Sequence, residues 1–225
     1  FTLIDPDVIT TPMTFQDATV TVAGAQLLIQ APVTLNGTVT FDGPVRNEAT
    51  LSIVGTSDFG DAIGIFPALT NLGFITLTND FAGAGATLDV AGSFTTSDAL
   101  GAGFISTAVG AGGGTRIIRG ALQASGGGLD VFAPTTLEGA GRGPIAFSGT
   151  SDLFVDDGLT LDVALDGATG GFSLLGAAGV NIGIGGSVQL VDAGVGPAPT
   201  FDWSGTTIEG PGAFDARAAT IALTG

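Results

Sequence analysis

One phrase recurs along this chain of 225 residues, and it constrains the fold more than any other feature. Ala-Thr-aliphatic-x-aliphatic-x-Gly is written first as Ala18-Thr19-Val20-Thr21-Val22-Ala23-Gly24 and again as Ala49-Thr50-Leu51-Ser52-Ile53-Val54-Gly55. It returns as Ala86-Thr87-Leu88-Asp89-Val90-Ala91-Gly92 and as Ala219-Thr220-Ile221-Ala222-Leu223-Thr224-Gly225. Looser copies stand at 128–132, 160–164 and 187–191. With the Thr position as marker, the copies begin at 19, 50, 87, 128, 160, 187 and 220, a mean spacing of about 33 residues. Roughly midway between copies lies a second alternating run, as in Val39-Thr40-Phe41, Ile75-Thr76-Leu77 and Ile145-Ala146-Phe147.

Every copy alternates aliphatic with small polar residues, which is the signature of a short strand with one buried face. No window holds apolar residues at helical spacing without a glycine breaking it. A single unit of this size cannot bury its own apolar face, whereas stacked units can, each covering the next. The repeat therefore predicts an all-β fold, a parallel β-helix or β-solenoid forming one elongated domain over 1–225. An antiparallel β-sandwich is the alternative, because it too is made of short alternating strands. The Gly/Ala-rich stretch 101–114, where alternation lapses, is expected to be an irregular insertion in the stack.

Composition agrees with strands and tight corners. There are 39 glycines without a three-residue period, which excludes collagen. Only 12% of residues are charged, against roughly 25% in an ordinary soluble domain, so the chain is apolar enough to order. The formal net charge is −16, with five Arg and no Lys, which excludes nucleic acid and anionic membrane surfaces as partners. Cys and His are absent, so disulfides, thiolate chemistry and ordinary zinc sites are excluded. No apolar run approaches the ~18 residues that span a bilayer as a helix, so membrane insertion is not expected. Residues 1–12 carry no basic and apolar leader pattern, so any signal peptide is expected to lie outside the sequence.

Carboxylates are the one constellation with possible chemistry. Asp58 and Asp61 share one turn segment, Asp152, Asp156 and Asp157 another, and Asp5 and Asp7 stand near the start. Oxygen ligands of this kind suit Ca²⁺, and Asp58, Asp61, Asp152, Asp156 and Asp157 are the metal candidates. No calcium-loop motif is complete, however, and Asp residues that cap backbone N–H groups in turns are the competing explanation. No cofactor is required on this reading; Ca²⁺ is the one ion the residues would suit. Catalysis is not expected. Asp156 and Asp157 are adjacent and so point to opposite faces of a strand, and neither Lys nor His stands beside a carboxylate to assist cleavage of a polysaccharide. Gly110-Ala111-Gly112-Gly113-Gly114-Thr115-Arg116 lacks the Lys and the helix of a phosphate-cradling loop. Arg116 and Arg119 are expected to pair with Asp or to lie on the surface. Trp203 and the 15 Phe are expected as core or stacking residues and not as a sugar platform. The Thr-x-Thr pairs at Thr19/Thr21, Thr38/Thr40 and Thr76/Thr78 are spaced too unevenly for an ice-matching face.

The segment Phe201-Asp202-Trp203-Ser204-Gly205-Thr206-Thr207-Ile208-Glu209-Gly210-Pro211-Gly212, running into the copy at 219–225, resembles the W-S-G-G-T-I-x-G-x-G … A-T-L-x-L-x-G phrase of repetitive bacterial surface proteins. Leu69-Thr70-Asn71-Leu72-Gly73-Phe74-Ile75-Thr76-Leu77 is similar to the L-T-N-x-G-x-I-T-L phrase of autotransporter and haemagglutinin-like passengers. The resemblance implies a right-handed parallel β-helix, placed outside the cell or on the bacterial cell surface. It further implies a structural role as filament, matrix or spacer element, acting by stacking and self-association. The partners would be copies of the chain itself or adjacent repeats of a longer chain. The alternative is an adhesin that holds a surface glycan or a partner surface, with or without Ca²⁺, and a polysaccharide-active enzyme is the minor one. The final copy, with Ile221 and Leu223 and no polar cap, is expected to continue into a neighbour.

Overall fold

The computed structural model describes residues 2–3, 7–194 and 196–223; Asp5 and the last two residues of the final phrase copy lie outside them. The described chain holds 25 strands in a single sheet and no helix. Strands pair with strands one turn later, and each ladder between named strands is parallel. That excludes the sandwich. The architecture is a β-solenoid with three faces.

Face one is a column of nine rungs whose inward residues are Met13, Val33, Leu51, Ile75, Ile105, Leu129, Leu153, Val180 and Ile208. Its eight steps average about 24 residues. Stacked strands lie about 4.8 Å apart, so the column is about 40 Å long. Face two carries Val39, Gly64, Leu88, Ile118, Leu137, Val163 and Leu190 at successive levels. Face three stacks Leu27, Val45, Leu69, Phe94 and Leu122, then Ile145, Phe172, Phe201 and Ile221.

The turn is shorter than the 33-residue spacing of the phrase, and the difference has a simple cause. Thr19 stacks on Thr40, not on Thr50, whose own neighbour is Phe74. Thr50 belongs to face one, Thr87 to face two and Thr220 to face three. Only Thr160 and Ser187 are in register as successive copies. The phrase marks a strand and the corner after it, a unit that all three faces use. Turn length varies from 18 residues (Val33 to Leu51) to 30 (Phe74 to Phe104), because corners grow while strands stay in register.

The stretch 101–114 shows how the extra residues are housed. It contains the strand Phe104–Thr107, paired in register with Phe74–Asn79 on one side and Gly128–Val131 on the other. The stack is continuous there, and the additional residues swell the corners on either side.

The interior is apolar where three faces meet and polar at corners, two of which bury polar side chains on successive levels. Phe41 and Phe66 stack with centroids 4.7 Å apart, and Phe172 stacks on Phe201 at 5.9 Å. At the corner leading from face three to face one, Asn47, Asn71 and Thr96 occupy successive levels, all fully buried. Asn47 Nδ2 donates to Asn71 Oδ1 at 2.8 Å and to Phe74 O at 3.0 Å; Asn71 Nδ2 donates to Thr96 Oγ1 and Phe104 O, each at 3.2 Å. Each amide thus supplies partners to the corner backbone above it, which buried polar groups require.

Candidate binding face

Of the metal candidates singled out from sequence, Asp61 and Asp157 serve as corner caps. Asp61 accepts the Gly85 N–H of the next turn at 2.5 Å, and Asp157 accepts that of Ile184 at 2.7 Å. Asp17 does the same for Thr38 at 2.8 Å, and Asp166 for Gly141 at 2.7 Å. Asp17 adopts a left-handed conformation (φ 41°) directly above Gly37 (φ 62°), where a Cβ would fall within 2.2 Å of its carboxylate. That corner requires Gly. Asp58 lies on an exposed turn, where Ser57 Oγ donates to it at 3.3 Å. Asp156 gives its own N–H to Val131 O at 3.0 Å. Asp58 and Asp61 lie far along the chain and the stack from Asp152, Asp156 and Asp157, and they do not converge. Among the described residues, no group of three or more His, Cys, Asp or Glu is arranged to hold a metal ion.

All five Arg are engaged by the chain's own groups. Arg119 stands between Asp89 and Glu138 on consecutive rungs of face two, with Nε 2.6 Å from Glu138 and Nη1 3.3 Å from Asp89, and Arg142 reaches Asp89 at 2.9 Å. These carboxylates hold the Arg119 guanidinium above its usual pKa, with Glu138 the larger influence. Arg46 pairs with Glu48, and Arg217 with Asp215, whose carboxyl is lowered to about 2 by that guanidinium. Arg116 departs from the sequence expectation. It is fully buried in an inward position between Ala86 and Thr135, and among the described residues it has no ion-pair partner. Its guanidinium donates instead to Ala108 O (3.2 and 3.0 Å), Val109 O (3.2 Å) and Asn79 Oδ1 (2.9 Å). Alternation held the signal: Arg116 shares its side of the strand with inward Ile118, and carbonyls of a glycine-rich corner need donors.

The outer surface of face one is the least uniform part of the molecule. Thr14, Thr34, Ser52, Thr76 and Ser106 form a ladder of hydroxyls on five consecutive rungs. The same column then changes character to Asp130, Phe154, Asn181 and Glu209. The neighbouring outer column runs Phe74, Phe104, Gly128, Asp152, Gly179, Thr207. Phe74 is 50% exposed and stacks on Phe104 with centroids 6.5 Å apart and planes at 20°. Phe154 packs against Phe132, itself partly exposed, at 5.5 Å. These four rings pack on one another in pairs at the surface and not in the core.

Between these columns lies a groove of about 490 Å³ lined by Phe104, Asp130, Asp152, Phe154, Asn181 and Glu209, among others. Gly179, stacked against Asp152, makes room for it: a Cβ there would fall 2.8 Å from the Asp152 carboxylate. Burial raises the Asp130 carboxyl above its ordinary value, and the nearby negative charge of Asp152 adds to the effect. A perturbed carboxyl beside a second one in a groove is the pattern of a ligand-handling site.

No protein-family model, curated protein or solved structure matches the chain.

Proposed function

We propose that this chain is a rigid structural module of a protein displayed outside the cell or on a bacterial cell surface, acting by stacking and self-association. The observation that carries the reading is the stack itself, nine parallel rungs on face one in which each covers the next, down to the strands Thr207–Glu209, Ala213–Asp215 and Thr220–Leu223. Trp203, Phe214 and Ile221 line an open apolar hollow of about 890 Å³, and Ile221 is 54% exposed. A second copy seated on that hollow would bury this surface. The acidic, Lys-free surface supports solubility of the rod between its ends. Catalysis is not part of this proposal.

Electron microscopy of the purified chain tests it. The expected result is concentration-dependent end-to-end rods or filaments, reduced to single particles by Phe214→Asp together with Ile221→Asp. Single particles at every concentration for the parent chain would overturn the self-association reading. An adhesive role is the second reading, and the groove of face one favours it: exposed aromatic rings beside polar side chains suit a polyhydroxylated ligand.

A further inference from the structure

The groove of face one is the feature that structural stacking leaves without a use. Solenoid faces that serve only as walls are flat ladders of like residues, as the hydroxyl column from Thr14 to Ser106 is on its five rungs. Beyond Ser106 that regularity stops. Phe154 turns outward in the same column, Phe74 and Phe104 turn outward in the column beside the ladder, and Gly179 leaves room for the outward Asp152 carboxylate. Leaving large rings exposed costs apolar burial of a kind that cores elsewhere in this chain recover. The groove extends from Phe104 to Glu209 over five rungs, a run of about 19 Å along the rod. Its occupant is therefore elongated and lies parallel to the axis.

We propose that this groove binds a linear glycan bearing amino sugars, the rings of Phe104 and Phe154 stacking on the C–H faces of the sugars while Asp130, Asp152 and Glu209 attract their ammonium groups. The inference deepens the adhesive reading and rests on it. Charge complementarity decides the occupant. Three carboxylates line the groove and none of the five Arg does, so a polyuronate or a sulfated chain meets repulsion without compensation. The aromatic faces carry the negative side of a quadrupole, which favours polarised C–H groups and neighbouring cations. The Asn181 amide, between Phe154 and Glu209 in its column, supplies both a donor and an acceptor for hydroxyl groups. A divalent cation alone fits less well, because among the described residues these carboxylates do not converge on one point.

Calorimetric titration of the whole chain with three oligosaccharides of equal length tests the inference: glucosamine oligomers, their N-acetylated counterparts and oligo-uronates. The expected result is binding of the glucosamine oligomer at least tenfold tighter than the neutral one, weakening with added salt, and none of the uronate. Asp130→Asn with Asp152→Asn should erase the preference for the amine, and Phe104→Ala should weaken both chains about tenfold, with unchanged circular dichroism in each variant. Equal binding of neutral and amino-sugar chains would overturn the inference and leave the adhesive reading standing. Absence of binding to all three would overturn both. Tighter binding of the uronate, or affinity indifferent to Phe104→Ala, would place the ligand elsewhere and defeat the proposal.

Discussion

At the scale of single residues, the chain uses its few charges as internal hardware. Asp17, Asp61, Asp157 and Asp166 accept backbone N–H groups across a gap between turns, at corners where the strand ladder leaves donors without partners. Asp130 is the exception. Its folded carboxyl titrates above its ordinary value of 3.8, so the fold favours the protonated form, and ionisation works against folding. The penalty is absent while the pH stays below 3.8 and grows as the pH rises through the raised value. Asp130→Asn is therefore expected to melt higher than the parent chain at neutral pH, the difference closing as the solution is acidified below the ordinary carboxylate range. Thermal melts of the two proteins across that range check it; a lower melting temperature for the variant at neutral pH would contradict the assigned environment.

At the scale of elements, strands were legible and corners were not. Alternation located Leu51-Ser52-Ile53, Ile75-Thr76-Leu77 and Leu129-Asp130-Val131, because burial on one face imposes a period of two on any sequence. The level at which each strand sits was hidden, since turns of 18 to 30 residues differ only in corner length, and the phrase is common to all three faces. The outward aromatic rings were hidden for a related reason: Phe74, Phe104 and Phe154 acquire a common surface only once the register is known. The swollen corner after Phe104–Thr107 depends on a residue that looked peripheral. Arg116 supplies donors to Ala108 and Val109 and braces Asn79, which in turn donates to Ala84 O at 2.9 Å. A buried guanidinium is costly to desolvate, and burial lowers its pKa, so the position is tolerated only because those acceptors surround it. Arg116→Ala removes the donors, strands buried carbonyls and leaves a cavity, an expected loss of about 3–5 kcal/mol. Chemical denaturation measures it, and a loss under about 1 kcal/mol would show that the corner does not depend on Arg116.

At the scale of the whole molecule, the three faces form one rod in which every turn contacts only its neighbours. Self-association is proposed along that rod and glycan binding on its first face. Both depend on the register that stacks Thr76 on Ser106 and not the successive phrase copies at Thr19 and Thr50. The chain has no cysteine, so engineered pairs report without interference. Outward neighbours on adjacent parallel strands lie about 4.8 Å apart, inside the range of Cα separations a disulfide spans. Mild oxidation of a Thr76→Cys, Ser106→Cys variant should close a disulfide quickly within one molecule, while a Thr19→Cys, Thr50→Cys variant should keep two free thiols. The reverse outcome would show that the phrase itself sets the turn, and the solenoid described above would be wrong.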